Sequence, residues 1–519
     1  MTSVVLGCCG LALALLGTSR YGIGNSSDAL AYISAAQSLR NGNGLQLYNG
    51  QPYLGWPPIY PIVVAAVSTL GIGAAAAARV VNALVFGLLI SVAVLWSNRL
   101  RMPLIASTVV GLFVLFAVPM LDLWRMAYSE LLFVATIVGF LWLMTRWQET
   151  GRFSYLVFAA LCAGAAILTR YAGLATLLTG GLLIVLDASR RWPRRFLYAL
   201  VFAALTLLTT VPWIIRNATV AGAPTGIDPV RSPESVGQVI VMTIDVVGSW
   251  FAPSRVPAIV RQVFAALALI APVLVLTIAA FSGRRSNRVA STANDHASIM
   301  SLSAWVVTYV VFLVTSRSIT FIDSDHSRLT APIYIPLILV IAWALVSAAR
   351  NTVSVQSRRL HAATLFAALV VLLWPIRFTI GATERLVANG AGGYATTRWQ
   401  SSEVLRYLRS NPIRQPVFSN EPHAVHAIAR LDSVYSLPDH DHVMSPISAD
   451  SALRRLRASL SGDSYVVLFN RPELARNVYS EGEVAAVLGA TPVARFSDGS
   501  VYRVSRSRGM TDQDGRAVQ

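Results

Sequence analysis

The sequence predicts a multi-pass α-helical membrane protein with a small α/β domain at its C-terminal end. Hydrophobic residues make up 55% of the 519 residues and charged residues only 13%, about half the charged fraction that is usual in soluble proteins. The apolar residues come in blocks of roughly the 17–25 residues that cross a bilayer as a helix. After about residue 380, charged and turn-forming residues become frequent and short α/β patterns begin.

About eleven hydrophobic segments are candidates for membrane crossing. The first lacks the basic flank and the small-residue cleavage site of a signal peptide, so we expect it to be retained as a helix. Pro58–Gly71 is too short to cross, and we assign it to the membrane interface. The candidate segments are Thr2–Thr18, Ala78–Ser97, Pro103–Met120, Ser129–Arg146, Phe153–Leu168, Ala172–Leu186, Phe196–Ile215, Val260–Phe281, Ile299–Thr315, Ala331–Ala348 and His361–Thr379.

The arginines predict how these segments are oriented. The 42 basic residues include no lysine and give a net charge of +17, and most of them stand beside hydrophobic segments. Arginine-rich loops alternate with other loops, as the positive-inside rule describes for plasma-membrane proteins. We therefore expect a cytoplasmic N-terminus, an extracytoplasmic C-terminal domain and no nucleic-acid partner. The arginine-rich loops contain Arg99, Arg101, Arg146, Arg152, Arg190, Arg191, Arg194, Arg195, Arg284, Arg285, Arg288, Arg350, Arg358 and Arg359.

Three regions follow from these patterns. Residues 1–380 form the predicted membrane domain, whose first outer loop is 19–57. Residues 381–505 form the predicted extracytoplasmic α/β domain, and 506–519 a disordered tail. In the α/β domain the patterns predict two strands and a hairpin, with helices at Trp399–Arg409 and Ala424–Arg430. The strands are Val417–Asn420 and Tyr465–Asn470, and the hairpin is Val493–Val504.

The first outer loop carries one acid, Asp28, at the start of an amphipathic stretch. A carboxylate at the lipid–water boundary can take the proton from an acceptor hydroxyl in an inverting sugar transfer. If the leaving group is a phosphate, it departs without protonation, so one carboxylate suffices where glycoside hydrolysis uses two. The alternative is that Asp28 caps a helix beginning at Ala29, because Ser26-Ser27-Asp28 is suitable N-cap chemistry. Spacing alone favours the cap.

Three arginines lie at the membrane boundary on the outer face: Arg170, Arg216 and Arg328. Guanidinium groups bind phosphate oxygens in pairs and keep their charge, so a bound phosphate would explain them. The alternative is snorkelling at helix ends. Snorkelling is the better explanation for any single one of them, but we expect at least one to bind phosphate.

Other polar residues give weaker indications. Asp122 and Glu130 flank the turn between the third and fourth segments, and are candidates for a second acid, a metal ligand or solvated loop residues. Asp323 and Asp325 accompany Arg328 in the same way. His423, His426 and the run Asp439-His440-Asp441-His442 are better explained as polar surface than as a metal site. A divalent cation is left open as a cofactor.

Taken in order, these motifs resemble those of GT-C fold glycosyltransferases of the protein-mannosyltransferase, aminoarabinose-transferase and RgtA-like group. The resemblance covers about residues 1–378. It rests on Asp28 with Tyr32, Gly42-Asn43-Gly44, Trp56-Pro57-Pro58-Ile59-Tyr60-Pro61, Ser129-Glu130-Leu131-Leu132-Phe133, Leu168-Thr169-Arg170-Tyr171-Ala172-Gly173, Trp213-Ile214-Ile215-Arg216-Asn217, and Arg328 ahead of Pro332.

The resemblance implies a polyprenyl-phosphate-linked monosaccharide as donor, an active site on the outer face and Asp28 as the base. It also implies interfacial helices in the first loop. Two departures concern the substrate. Mannosyltransferases of this group carry an Asp-Glu pair where Asp28 precedes Ala29, and aminoarabinose transferases usually have a lysine where Arg170 stands.

The sequence therefore predicts an inverting membrane glycosyltransferase acting on a cell-envelope glycan, lipid or protein. We expect the aromatic residues Tyr32, Trp56, Tyr60 and Tyr171 to line the pocket for donor and acceptor, although Trp56 and Tyr60 also suit interfacial anchoring. One rival is a transporter or flippase for a lipid-linked saccharide, which would place polar groups at the bilayer midplane. Another is a ligase that moves a preassembled glycan.

Overall fold

The computed structural model describes residues 1–282, 290–322, 326–350, 355–442, 445–471 and 478–505. Three sets of residues discussed above lie outside these ranges: Arg284, Arg285 and Arg288; Asp323 and Asp325; and the predicted tail at 506–519.

The described part of residues 1–389 is helical. Its helices are α1 (Thr2–Gly17), α2 (Ser27–Arg40), α3 (Ile59–Ser68), α4 (Ala74–Arg99), α5 (Leu104–Leu115), α6 (Val118–Arg125), α7 (Glu130–Thr150), α8 (Phe153–Thr169), α9 (Ala175–Leu186), α10 (Trp192–Ala221), α11 (Val236–Phe251), α12 (Ala258–Ser282), α13 (Ala290–Ile319), α14 (His326–Thr330), α15 (Tyr334–Arg350) and α16 (Val355–Asn389). Short 3-10 turns precede α9 at Tyr171–Leu174 and α15 at Ala331–Ile333.

The expected multi-pass architecture is confirmed. Among the described residues, seven helical segments are long and apolar enough to cross a membrane, and eight if α5 and α6 form one span bent by 50°. The count of about eleven requires α1, α8 and α9 to cross as well, and stays a prediction. Helix α3 lies within the segment assigned to the interface; as its ten residues extend only about 15 Å, it is too short to cross.

Helix α11 was not predicted, because it lies between the candidate segments Phe196–Ile215 and Val260–Phe281, in a stretch that we interpreted as the outer loop connecting them. It begins with a capping box, in which Ser235 Oγ accepts a hydrogen bond from the Gln238 backbone N–H and Gln238 Oε1 accepts one from the Ser235 N–H. A serine followed three residues later by glutamine, ahead of apolar residues, is a helix start signal in sequence. That signal could have revealed α11.

Helix α1 packs closely against α4. A Cβ added at Gly7 would lie 2.7 Å from the backbone oxygen of Gly87, and one added at Gly87 would lie 2.6 Å from the oxygen of Gly7. Small residues allow such close approach between membrane helices. Arg79 of α4 also donates to Thr18 Oγ1 and to the Leu15 oxygen, at 2.8 and 2.7 Å. The first hydrophobic segment is thus an integral part of the helical domain.

The C-terminal α/β domain has a five-stranded sheet in the order β2-β1-β3-β5-β4. Strand β1 is parallel to β2 and β3, and β5 is antiparallel to β3 and β4. The strands are β1 (Val417–Ser419), β2 (Val434–Ser436), β3 (Ser464–Phe469), β4 (Thr491–Phe496) and β5 (Gly499–Val504). The main helices are α17 (Thr397–Gln400), α18 (Glu403–Ser410), α19 (Pro422–Ala424), α20 (Ala449–Ser459) and α21 (Glu481–Leu488), and a π-helical turn spans Val425–Ala429.

Both predicted strands and the hairpin are present in this domain. The predicted helix Trp399–Arg409 is divided, since Ser402 interrupts it and caps α18 by accepting from the Leu405 N–H. Strand β2 and helices α20 and α21 were not predicted. The predicted boundary after residue 380 falls inside α16, which continues to Asn389.

The first outer loop is joined to the C-terminal domain. The Asn25 N–H donates to the Gly392 oxygen, and the Tyr394 N–H donates to the Asn25 oxygen at 2.9 Å. Leu30 and Ile33 of α2 pack in the same hydrophobic cluster as Tyr394. Farther along the loop, the Tyr48 ring stacks on His426 with ring centres 3.9 Å apart. The loop and the C-terminal domain therefore lie at the same end of the membrane domain, whereas which end faces the cytoplasm stays a prediction.

A buried asparagine connects three segments at this end of the membrane domain. Asn82 of α4 is 1% exposed. Its Oδ1 accepts from the Tyr60 hydroxyl of α3 at 3.0 Å, and its Nδ2 donates to the Met126 oxygen at 2.7 Å. One amide therefore connects the interfacial helix, a membrane span and the segment that follows α6.

We predict that Asn82→Ala lowers the free energy of unfolding by about 1–3 kcal/mol, because it leaves the buried Tyr60 hydroxyl without its acceptor and removes the amide donor to the Leu123 and Met126 oxygens. Thermal unfolding in detergent measures the change. Tyr60→Phe is the control: it removes one of the three hydrogen bonds of Asn82 and should cost less. An Asn82→Ala protein as stable as wild type would show that these hydrogen bonds do not stabilise this end of the membrane domain.

Candidate active site

Asp28 is the second residue of α2, which begins at Ser27 with Ser26 as N-cap. The expectation that Asp28 caps a helix starting at Ala29 is therefore wrong, and no side chain makes a capping bond there. Instead Asp28 Oδ2 lies 3.3 Å from Arg328 Nη2. The position in the first turn still suits an acid, because the helix dipole is positive there. The Asp28 side chain remains 26% exposed, so a substrate can reach it.

Glu130 is the first residue of α7 and binds two arginines through one oxygen. Its Oε1 accepts from Arg328 Nε at 2.8 Å and lies 2.7 Å from Arg170 Nη1. The side chain is 1% exposed. The alternative that Glu130 is a solvated loop residue is therefore wrong, as is simple snorkelling for Arg170 and Arg328, since both point inward to a buried acid.

The two arginines come from distant parts of the chain. Arg170 is the extended residue between α8 and the following 3-10 turn. Arg328 lies in α14, and its guanidinium carbon is 3.6 Å from the centre of the Tyr128 ring. Such a contact with the face of an aromatic ring stabilises a cation. We call Asp28, Glu130, Arg170 and Arg328 the acid–arginine cluster.

Two further candidates lie outside the acid–arginine cluster. Asp122 forms an ion pair at 2.7 Å with Arg125 on its own helix, and Arg125 also donates to the Ala391 oxygen. Arg216 donates to the Tyr53 oxygen at 2.7 Å and lies over the Trp213 ring. Asp122 thus positions Arg125, which contacts the C-terminal domain, and Arg216 contacts the first loop.

The four predicted pocket aromatics do not form one surface. Tyr32 and Tyr60 are 1% and 0% exposed, and the Tyr32 hydroxyl lies 3.1 Å from Ser129 Oγ. Trp56 packs edge-on against Tyr32 and stays partly exposed. Tyr171 lies farther along, where its hydroxyl accepts from Trp213 Nε1. Trp56 and Tyr171 are therefore the partly exposed members of the four, whereas Tyr32 and Tyr60 are enclosed by the protein.

The electrostatics of the acid–arginine cluster favour a proton acceptor. Burial raises the pKa of the Asp28 carboxyl above its usual range, although the positive charge of Arg328 opposes this. Glu130 adds to the increase and Arg170 opposes it. A general base works best when its pKa approaches the pH of the reaction. The surroundings of Asp28 shift it in that direction.

The described residues offer no evident metal site. They contain no group of three or more His, Cys, Asp or Glu side chains placed to hold one ion. Asp28 and Glu130 are both engaged by arginines. His423 and His426 contact Tyr48, and His440 bonds to the Val478 oxygen.

Comparison with protein-family models gives no match, and none is found among curated proteins. Solved structures are similar over nearly the whole chain. ArnT from Cupriavidus metallidurans in the apo state has a TM-score of 0.61 at 15% identity, covering 96% of this chain and 97% of that one. The same protein bound to undecaprenyl phosphate has a TM-score of 0.60 at 15% identity, covering 97% and 98%.

A third structure is the oligosaccharyltransferase AglB from Archaeoglobus fulgidus, in complex with an inhibitory peptide and a dolichol-phosphate. Its TM-score is 0.55 at 12% identity, covering 90% of this chain and 69% of that one. Both proteins are GT-C fold membrane glycosyltransferases. The chain has the GT-C fold. In this GT-C protein the acid–arginine cluster joins the first outer loop to the membrane domain.

We predict that Arg328→Gln lowers the free energy of unfolding by about 3 kcal/mol, because it removes one of the cations that balance the buried Glu130. The double variant Arg328→Gln/Glu130→Gln should be more stable than the sum of the single changes predicts. Thermal unfolding in detergent tests both statements. Arg216→Gln is the control, since its arginine donates to neutral oxygens. Equal stability of the two single arginine variants would contradict the prediction.

Proposed function

We propose that this protein is an inverting glycosyltransferase that moves a monosaccharide from a polyprenyl-phosphate donor to an extracytoplasmic acceptor in the plasma membrane. The observation that carries the proposal is the acid–arginine cluster, at the end of the membrane domain that meets the α/β domain. There the partly exposed Asp28 carboxylate pairs with Arg328, and Arg328 and Arg170 both pair with the buried Glu130. The similarity to structures holding undecaprenyl phosphate and dolichol-phosphate supports the same donor class.

Asp28 would act as the general base. The acceptor hydroxyl gives its proton to the Asp28 carboxylate while its oxygen attacks the anomeric carbon of the donor sugar. The bond from that carbon to the phosphate oxygen breaks, and its electron pair leaves with the phosphate. A single displacement inverts the configuration at this carbon, and the phosphate needs no proton to depart. One carboxylate is therefore enough, in contrast to the pair used in glycoside hydrolysis.

Arg328 and Arg170 would bind the phosphate. Arg328 contacts Asp28 at 3.3–3.4 Å and Glu130 at 2.5–2.8 Å. A phosphate that competes for Arg328 would replace the longer contact with Asp28 more readily than the shorter one with Glu130, because charge-assisted bonds are strongest at short distance. Donor binding would then free Asp28 from its cation, which makes it a stronger base.

An apolar cavity offers a place for part of the prenyl chain. It has a volume of about 220 Å³ and lies among α11, α12 and α13, with a lining that includes Ile240, Thr243 and Leu269. Thr243 Oγ1 is 2.9 Å from Nε2 of His326, two residues before Arg328. A lipid with its phosphate at Arg328 would thus have an apolar region close by.

Two other functions are weighed against this one. A transporter would need polar groups along a path through the bilayer, whereas the acid–arginine cluster lies at one end of the membrane domain, beside the α/β domain. A glycan ligase shares the fold and donor chemistry, and the similarity to an oligosaccharyltransferase keeps this alternative open. Product size separates the ligase from a monosaccharide transferase. The C-terminal domain, which contacts α2, would help to select the acceptor.

We predict that Asp28→Asn folds but loses transfer by about 10²–10⁴-fold in kcat, because the amide cannot accept the acceptor proton. The assay is transfer from radiolabelled polyprenyl-phosphate monosaccharides in liposomes. Asp122→Asn is the matched control, since its acid lies outside the acid–arginine cluster, and it should keep most activity. Equal turnover by Asp28→Asn and wild type would remove Asp28 as the base.

A second prediction concerns pH. Asp28 must be deprotonated to act, and burial raises its pKa. We therefore expect kcat/KM to fall on acidification at a higher pH than the value of about 3.9 for an ordinary aspartate. Arg328→Gln removes the cation that lowers this pKa, so the acid limb of the remaining activity should move to still higher pH. An unchanged acid limb in Arg328→Gln would show that Arg328 does not act on the base.

A further inference from the structure

The two carboxylate oxygens of Glu130 differ. Oε1 lies within hydrogen-bonding distance of Arg328 Nε, Arg328 Nη2 and Arg170 Nη1. Oε2 is fully buried and has no hydrogen-bond donor among the described residues. Leaving a buried acceptor without a donor costs about 1–3 kcal/mol, and more for a charged group. Such a group in a native site calls for an explanation.

A second buried acceptor lies on the neighbouring segment. Asn25 Oδ1 is likewise buried without a donor among the described residues. The segment at residues 24–25 runs beside residues 125–127, with the Gly24 N–H bonded to the Arg125 oxygen and the Ala127 N–H to the Gly24 oxygen. Asn25 therefore stands three residues before Asp28 and beside the stretch that leads to Glu130.

The charge balance indicates what kind of donor fits Glu130. Its carboxylate already faces Arg170 and Arg328, and Arg328 also faces Asp28. Before a phosphate binds, two acids and two arginines leave the acid–arginine cluster with no net charge, so Glu130 Oε2 does not need a further cation as its donor. A neutral O–H can satisfy the remaining lone pair without disturbing this balance. If a phosphate is bound by the same two arginines, the sugar attached to it lies next to Glu130.

We propose that Glu130 Oε2 accepts a hydrogen bond from a hydroxyl of the donor sugar, and that Asn25 Oδ1 accepts one from a second hydroxyl. These two oxygens would form the subsite that recognises a neutral, polyhydroxylated sugar. The inference rests on the proposed function, because it requires a sugar on the bound phosphate. Glu130 then has two roles: Oε1 positions the two arginines, and Oε2 binds a hydroxyl of the sugar.

Binding of short donors tests the proposal without turnover. The protein would carry Asp28→Asn so that donor is not consumed. The probes are farnesyl phosphate alone, farnesyl phosphate carrying radiolabelled mannose, glucose or arabinose, and the single-deoxy derivatives of each. For the best-bound sugar we expect one deoxy derivative to bind about tenfold more weakly or worse, as for a lost hydrogen bond to a charged acceptor.

Adding Glu130→Gln should reduce that discrimination several-fold, because the charged acceptor becomes a neutral amide whose hydrogen bond to a hydroxyl is weaker. We compare the ratio of the affinities for parent and deoxy derivative within each variant. Weaker phosphate binding by displaced arginines lowers both affinities alike and therefore leaves this ratio unchanged. Asn25→Ala should abolish discrimination against a different deoxy derivative and leave the affinity for sugar-free farnesyl phosphate unchanged, because Asn25 does not contact the arginines.

Glu149→Gln is the matched control. Glu149 lies near the other end of α7, is 4% exposed and pairs with two arginines, Arg99 and Arg146. Like Glu130→Gln, this substitution removes a buried charge that lies between two arginines, but it does so far from the acid–arginine cluster. This variant should keep the ratio between parent and deoxy derivatives at the value of the Asp28→Asn protein.

Several results would overturn the inference. Equal binding of all deoxy derivatives before Glu130 is changed would show that Oε2 does not contact the sugar and is satisfied otherwise, for example by an internal water. Glu130-dependent preference for an amino derivative over its hydroxyl parent would show that the subsite selects a cation. Failure of farnesyl phosphate itself to bind would instead reject the donor class, and with it the proposed function.

Discussion

The site depends on one interaction: a single carboxylate oxygen of Glu130 contacts both Arg170 and Arg328. A buried carboxylate needs cations nearby, because an isolated charge is very costly away from water. Glu130 meets this need with arginines from two other parts of the chain, so α7, the turn after α8 and α14 are held at one point. Arg328 then extends the connection to Asp28 in the first outer loop. The acid–arginine cluster therefore links four segments that are distant in sequence.

This arrangement also explains how Asp28 can be largely buried and still keep part of its surface exposed. Its helix is fixed from one side by the membrane domain and from the other by the C-terminal domain, through Leu30 and the backbone bonds of Asn25. The carboxyl is thereby shielded from most water but keeps part of its surface accessible. Arg328 stabilises its charge through a contact longer than a strong ion pair. In the proposed reaction, weakening that contact would make Asp28 a stronger base.

Much of the fold and part of the site could be predicted from the sequence. Long apolar segments reveal membrane helices directly, and charged residues such as Asp28, Arg170 and Arg328 stand out in so apolar a chain. Their meeting point could not be predicted, because residues 28, 130, 170 and 328 are far apart in sequence and spacing carries no distance information over such separations. Asp122 and Glu130 looked alike in sequence, but one pairs locally with Arg125 and the other lies at the centre of the acid–arginine cluster.

Other misses have equally specific causes. The Asn82 amide was overlooked because an asparagine within an apolar helix carries no motif, and its three partners lie on two segments that are distant from it in sequence. Strand β2 has three residues, too few to show the alternation of apolar and polar residues that predicts a strand. Helix α11 carried a capping signal, but we had assigned its surroundings to a loop.

The pairing of Asn25 with residues 392–394 bears on how such enzymes can diversify. Because α2 completes the hydrophobic cluster around Tyr394, and Tyr48 stacks on His426, the C-terminal domain is not an independent module joined only through α16. Exchange of residues 390–505 with those of another protein would expose the apolar face of α2 unless the new domain matched it. The natural unit of recombination therefore includes the first outer loop, and new acceptor preferences would arise more readily by gradual change within both partners than by domain replacement.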